Sequence, residues 1–96
     1  MKMVFIVYNS ALEGEVEECL TRCKVESYTK FPILHGKGQL SDPHMGTHIW
    51  PATNAALLIA CEDEKVKQIL EEVKKIKKTF KKEGIKAFVT ALEWMV

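Results

Sequence analysis

The chain has 96 residues, 47% of them hydrophobic, which suits one modest core in a single domain over 1–96. Its 14 basic and 13 acidic residues leave a net charge of +1, so the whole molecule offers no strong field to nucleic acid or an anionic membrane, and any basic patch must be local. Cys19, Cys23 and Cys61 are odd in number and form no CxxC pair, which points to reduced, buried thiols in a cytoplasmic protein rather than a disulfide framework.

The opening MKMVFIVYN is too short an apolar run to cross a bilayer and no cleavage site follows it, so the chain is not expected to be membrane-inserted. It reads as a strand over residues 2–9, with Met3, Phe5 and Val7 alternating with Val4, Ile6 and Tyr8. Ser10 and Glu13 have the spacing of a capping box. Leu12, Val16, Cys19, Leu20 and Cys23 then follow at helical spacing, with Glu13, Glu15, Glu17 and Glu18 expected to face outward.

Residues 25–34, VESYTKFPIL, alternate apolar and polar side chains and read as a second strand. Pro32 removes a ladder donor, which places it at an edge, a bulge or a frayed end. Residues 53–61, TNAALLIAC, give a third strand that is apolar on both faces. A second helix begins near Glu62-Asp63-Glu64, carries the stripe Val66, Ile69, Leu70, Val73, Ile76 and Phe80, and stops at Gly84. A fourth strand covers 85–93.

The order βαββαβ implies an α+β, ferredoxin-like sandwich: a four-stranded antiparallel sheet with two helices on one face. Two helices cover only one face, so the other apolar face is expected to meet further subunits.

Between the second and third strands lies a long loop, about 35–52, that contains every histidine of the chain: His35, His44 and His48. Gly36 and Gly38 permit backbone angles that let amides approach an anion, or simply make a turn. Lys37 beside them favours negative charge. Trp50 is either a stacking surface for a base or partner, or an anchor that packs the loop onto the domain. His44 and His48 are four apart and, with His35, supply the donor type of a zinc, copper or nickel site. The competing reading is that these imidazoles hydrogen-bond the loop backbone.

A βαββαβ chain whose long loop opens with Gly36-Lys37-Gly38-Gln39, and whose last strand is entered through Gly84-Ile85-Lys86-Ala87-Phe88-Val89, resembles the PII signalling proteins. Pro43-His44-Met45-Gly46-Thr47-His48-Ile49-Trp50-Pro51 is similar to the PHxGTHxWP-type loop of small PII-like proteins. The resemblance implies a homotrimer that binds adenine nucleotide in clefts between subunits, and a loop that changes shape to control a membrane transporter or an enzyme. It also implies that Lys86 is a phosphate-contacting lysine and Phe88 the aromatic that follows it. Gln39 stands one residue early for the glutamine that family associates with 2-oxoglutarate, so that role is not carried over.

The expected function is therefore regulatory: a non-catalytic protein that senses a nucleotide, an anion or a metal through residues 35–52. The expected ligand-binding residues are Gly36, Lys37, Gly38, Trp50, Lys86 and Phe88. The alternative is a histidine-loop metal-binding protein, using His35, His44 and His48 with a divalent metal, linked to divalent cation tolerance or efflux. An enzyme is disfavoured because no Ser-His-Asp order, Cys-His pair or carboxylate dyad emerges. Eight lysines between Lys65 and Lys82 read as a solvated helix face. Residues 53–61 carry no stacking aromatics of an RNA-recognition sheet, so no nucleic-acid partner is expected.

Overall fold

The structure is a computed structural model and describes residues 1–37 and 53–96. Strand β1 (Lys2–Asn9) leads through a short 3₁₀ turn (Ser10–Leu12) into helix α1 (Glu13–Arg22). Strands β2 (Thr29–Leu34) and β3 (Asn54–Cys61) follow, then helix α2 (Asp63–Thr79) and strand β4 (Ile85–Ala91). All pairings are antiparallel and the strand order is β2-β3-β1-β4, the ferredoxin-like arrangement.

β1 is central, paired with β3 along one edge and β4 along the other, and its side chains are apolar on both faces. Val4 and Ile6 are fully buried, and Tyr8 nearly so, on the face covered by the helices. They meet Ile59, Leu57 and Ala55 of β3 across the ladder. From α2 the stripe Val66, Ile69, Val73 and Ile76 packs down, and from α1 Val16, Cys19, Leu20 and Cys23 complete the core. Burying each large side chain contributes about 1.5–3 kcal/mol. Burial in this core pushes the Cys19 thiol up to about 12, with the neighbouring Cys23 adding to the shift. Cys61 is only half-buried, short of the burial its sequence context implied.

Several boundaries differ from the sequence reading. The second strand begins at Thr29 rather than residue 25, because pairing with β3 starts only at Thr29 and Val25 is held in the turn that ends α1. Lys24 takes a left-handed φ of 56° there, and the Val25 amide donates to the Leu20 carbonyl. The Lys65 ammonium of α2 caps the same turn, donating to the Cys23 carbonyl at 2.5 Å and the Lys24 carbonyl at 3.2 Å. The last strand ends at Ala91 instead of 93. Ser10 does not form the capping box: the Asn9 side chain caps the 3₁₀ turn by accepting from the Ala11 amide at 2.8 Å. On α2, Lys74 pairs with Glu71 and Lys75 with Glu72, each three residues apart. Pro32 sits on the edge strand, where the register shifts between Phe31 and Leu34.

The face of the sheet away from the helices carries Met3, Phe5 and Val7 of β1, with Ala56 and Leu58 of β3. Phe31 of β2 stacks on Phe5 at 6.0 Å between ring centroids. Phe88 of β4 lies directly opposite Phe5 and is 55% exposed. The open apolar face inferred from the strand pattern is therefore present.

Candidate functional site

One end of the sheet gathers the start and finish of the 35–53 connection together with the turn between α2 and β4. Consecutive amides at the end of β1 do the gathering. Asn9 N–H donates to the Gly84 carbonyl at 2.8 Å, and Ser10 N–H donates to the Thr53 carbonyl at 2.9 Å. The hydroxyls of Ser10 and Thr53 are also hydrogen-bonded, at 2.9 Å. Strand β1 thus fixes the position of both the descending arm of the connection and the turn that precedes Lys86.

The ascending arm leaves β2 after Leu34, which pairs with Asn54. His35, Gly36 and Lys37 follow and are exposed. A β-carbon on Gly36 would stand 2.7 Å from the Asn54 side-chain nitrogen, so this position admits only glycine unless Asn54 moves. Beneath the arm, Glu13 joins three elements: it accepts from the Tyr8 hydroxyl at 3.0 Å and pairs with Lys30 of β2 at 2.8 Å. Glu13 is half-buried, contrary to the outward position inferred for it. Burial works to raise its carboxyl, but the bonds from Lys30 and Tyr8 outweigh that and hold it below the usual carboxylate value. Burial, reinforced by the Glu13 contact, pushes the Tyr8 phenol well above its usual range, so it stays a neutral donor.

On β4, Lys86 lies opposite Val7 and Phe88 opposite Phe5, both on the open face and both exposed. The start of this strand is held by the Lys77 ammonium of α2, which donates to the Ile85 carbonyl at 2.7 Å. With the order β2-β3-β1-β4, the arm bearing Gly36 and Lys37 rises from one edge of the sheet while Lys86 and Phe88 occupy the other. Three strand spacings separate these edges, roughly 14 Å. Among the described residues, the structure therefore does not bring the two halves of the inferred ligand site together within one chain.

Gly38, His44, His48 and Trp50 lie outside the described residues. His35 is exposed at the end of β2, and among the described residues no group of three His, Cys, Asp or Glu side chains converges on a common point. A separate open groove of about 390 Å³ runs between α1 and α2, lined by Arg22, Cys23, Gln68 and Glu72 among others. It is remote from the 35–53 connection, at the opposite end of α1. No helix among the described residues is long and apolar enough to cross a membrane.

The residues that hold this end of the molecule, Asn9, Ser10, Glu13 and Thr53, were not among the inferred site residues. The polar Asn9-Ser10 pair directly after an apolar strand was the one available signal. Ser10 finds its partner 43 residues away and Asn9 reaches Gly84, farther still along the chain, so spacing could not reveal them.

Known structures share this architecture. A PII-like signalling protein of Thermus thermophilus is 25% identical, with a TM-score of 0.66, over 93% of this chain and 83% of its own. CPII, a nitrogen regulatory PII-like protein of Thiomonas intermedia bound to ADP, AMP and bicarbonate, is 22% identical with a TM-score of 0.70, covering 93% and 82%. Its apo form matches at 17% identity and a TM-score of 0.64, covering 93% and 87%. No curated protein matches the sequence. The description of the nitrogen regulatory protein P-II family fits residues 1–96, the whole length given, and the chain belongs to that family.

Proposed function

We propose that residues 1–96 act as one PII-like domain, a non-catalytic cytoplasmic regulator that assembles as a homotrimer and binds an adenine nucleotide between neighbouring subunits. The observation that carries this reading is the placement of Gly36 and Lys37 at one sheet edge and Lys86 and Phe88 at the other. Two such half-sites meet only when the β2 side of one copy faces the β4 side of the next. That contact is head-to-tail, and a head-to-tail contact whose rotation closes generates a ring. The open face bearing Phe5, Phe31 and Phe88 supplies apolar surface for the ring to bury.

In this reading Lys86 contacts the phosphates and Phe88 supports the ring beside it. Gly36, Lys37 and Gly38 bring backbone amides and a cation to the anion from the next subunit, and Trp50 offers a surface for the base. Nucleotide binding shifts the 35–52 loop because the ligand bridges the arm of one subunit and the turn of another, and so binds the loop's two arrangements unequally. The altered loop then controls a protein partner, a membrane transporter or an enzyme. The structural relative CPII binds ADP, AMP and bicarbonate, which supports an adenine nucleotide as the ligand.

The test is native mass spectrometry and calorimetry on protein purified without a histidine tag, titrated with ADP, AMP, bicarbonate and zinc. The expected result is a trimer that takes up ADP or AMP in stoichiometric steps, and at least tenfold weaker uptake for Lys86→Ala, the loss expected for a charge-assisted phosphate contact. A trimer that ignores nucleotide yet binds zinc, and loses it in a His35, His44 and His48 triple alanine variant, would replace this reading with metal sensing.

A further inference from the structure

The C-terminal half of α2 and the turn after it read VKKIKKTFKK, with lysines at 74, 75, 77, 78, 81 and 82 and no acidic residue. Removing these six positive charges from a chain of net +1 leaves the remainder at −5, so the charge of the molecule is strongly segregated. All six lysines are exposed. The four within the helix spread over an arc of roughly 160° at 3.6 residues per turn, turned away from the Val66, Ile69, Val73 and Ile76 stripe. The helix dipole accounts for cations in the last turn, Lys77 and Lys78, but not for Lys81 and Lys82 beyond it.

Among the described residues, carboxylates engage only Lys74 and Lys75 of these six, through Glu71 and Glu72. Lys77 reaches back to the Ile85 carbonyl, and Lys78, Lys81 and Lys82 form no ion pair among the described residues. The patch lies on the helix side, so burial of the sheet face would leave it free. It also lies at the end of the molecule from which the 35–53 connection departs, because Gly84 is bonded to Asn9 and Thr53 to Ser10.

We propose that this lysine surface is a peripheral docking site for an anionic lipid bilayer, which would present the loop-bearing end of the protein to the membrane. The proposal goes beyond ligand sensing and depends on neither the nucleotide nor the oligomer. The chemistry of the patch selects the partner. Clusters of four to eight basic residues on a helix are the size that anionic lipid surfaces attract. Lysine is a hydrated point charge on a flexible stem, suited to a diffuse field, whereas paired recognition of phosphates or bases favours the arginine fork, which is absent from this run. Phe80, the only aromatic in the run, packs against the core and offers no stacking ring for a base and no wedge for the acyl region. Binding is therefore electrostatic and reversible by salt.

The experiment is co-flotation of the full chain with vesicles of phosphatidylcholine alone or mixed with phosphatidylserine, at low and high salt. The wild-type protein is expected to float with the anionic vesicles only, and to be released by salt. Lys78→Glu with Lys82→Glu should weaken partition at least about tenfold, while Lys24→Glu with Lys67→Glu, which changes net charge equally, should leave it near wild type. Circular dichroism checks that both variants fold. Equal loss in both pairs, flotation with neutral vesicles, or no flotation would overturn the proposal. Binding to polyglutamate through the patch without any binding to vesicles would also overturn it, in favour of an acidic protein segment.

Discussion

The carboxylate of Glu72, buried on α2, lies against the guanidinium of Arg22 in the last turn of α1, and this contact joins the two helices across their shared groove. The hydrogen bond from Arg22 is the main reason that the Glu72 carboxyl titrates below its usual range; burial opposes the shift and Lys75 adds to it. A depressed folded pKa means that this contribution to stability is fully present above the unfolded value of about 4.3. It is lost as pH falls through the folded pKa. Urea unfolding of the wild type and of Glu72→Gln between neutral pH and pH 3 should therefore show a steeper acid loss in the wild type. Parallel losses would show that the pair does not couple folding to protonation.

Ile69 is fully buried between α2 and the sheet. Ile69→Ala removes three carbons from a position with no access to water, and is expected to cost about 2–5 kcal/mol. Chemical denaturation at fixed protein concentration measures this directly. A cost below about 1 kcal/mol would mean that the helix layer repacks freely over β1 and β3.

Phe88 presents an exposed ring on the open face, opposite Phe5. Phe88→Glu places a charge where the proposed ring of subunits would exclude water, and removing one from water without a partner is far costlier than any packing gain. Light scattering should report monomers, while circular dichroism stays that of the wild type. A trimer that survives the substitution would move the interface elsewhere.

Because Lys37 and Lys86 belong to different edges, variants at the two positions should complement one another. Lys37→Ala and Lys86→Ala are each expected to bind nucleotide weakly. When unfolded together and refolded as a mixture, roughly a quarter of the sites should regain wild-type affinity, since random assembly pairs one intact edge with another at that frequency. Calorimetry that finds no recovered sites would show that one chain supplies both lysines to each site.

Much of this architecture was legible because it is periodic. Val66, Ile69, Val73 and Ile76 recur at helical spacing and do face the core, and Val4, Ile6 and Tyr8 alternate as a strand should. The errors fell where a distant partner decides. Residues 25–28 alternate as well as 29–34 do, but ladder pairing with β3 begins only at Thr29, opposite Leu58. Ser10 has the spacing of a cap, yet its hydroxyl is taken by Thr53 and the cap passes to Asn9. Glu13 belongs to the acidic run of α1, but Tyr8 and Lys30 draw it inward. Strand order is likewise not written in linear sequence, so the separation of Gly36 from Lys86 became visible only in three dimensions. The sequence named both as expected ligand residues, and only the resemblance, with its clefts between subunits, implied that different chains supply them.

Among the described residues strand β4 pairs with β1 alone, and beside its other edge lies the apolar face that carries Phe88. An unpaired edge next to apolar surface is adhesive in a lone subunit. A chain that covers both only against its own copies ties its folding equilibrium to its abundance: the unfolding midpoint rises with concentration. Dilution then does more than separate subunits. If the subunits assemble as proposed, it also increases the population open to proteases, and the cellular level of the protein would then set its lifetime.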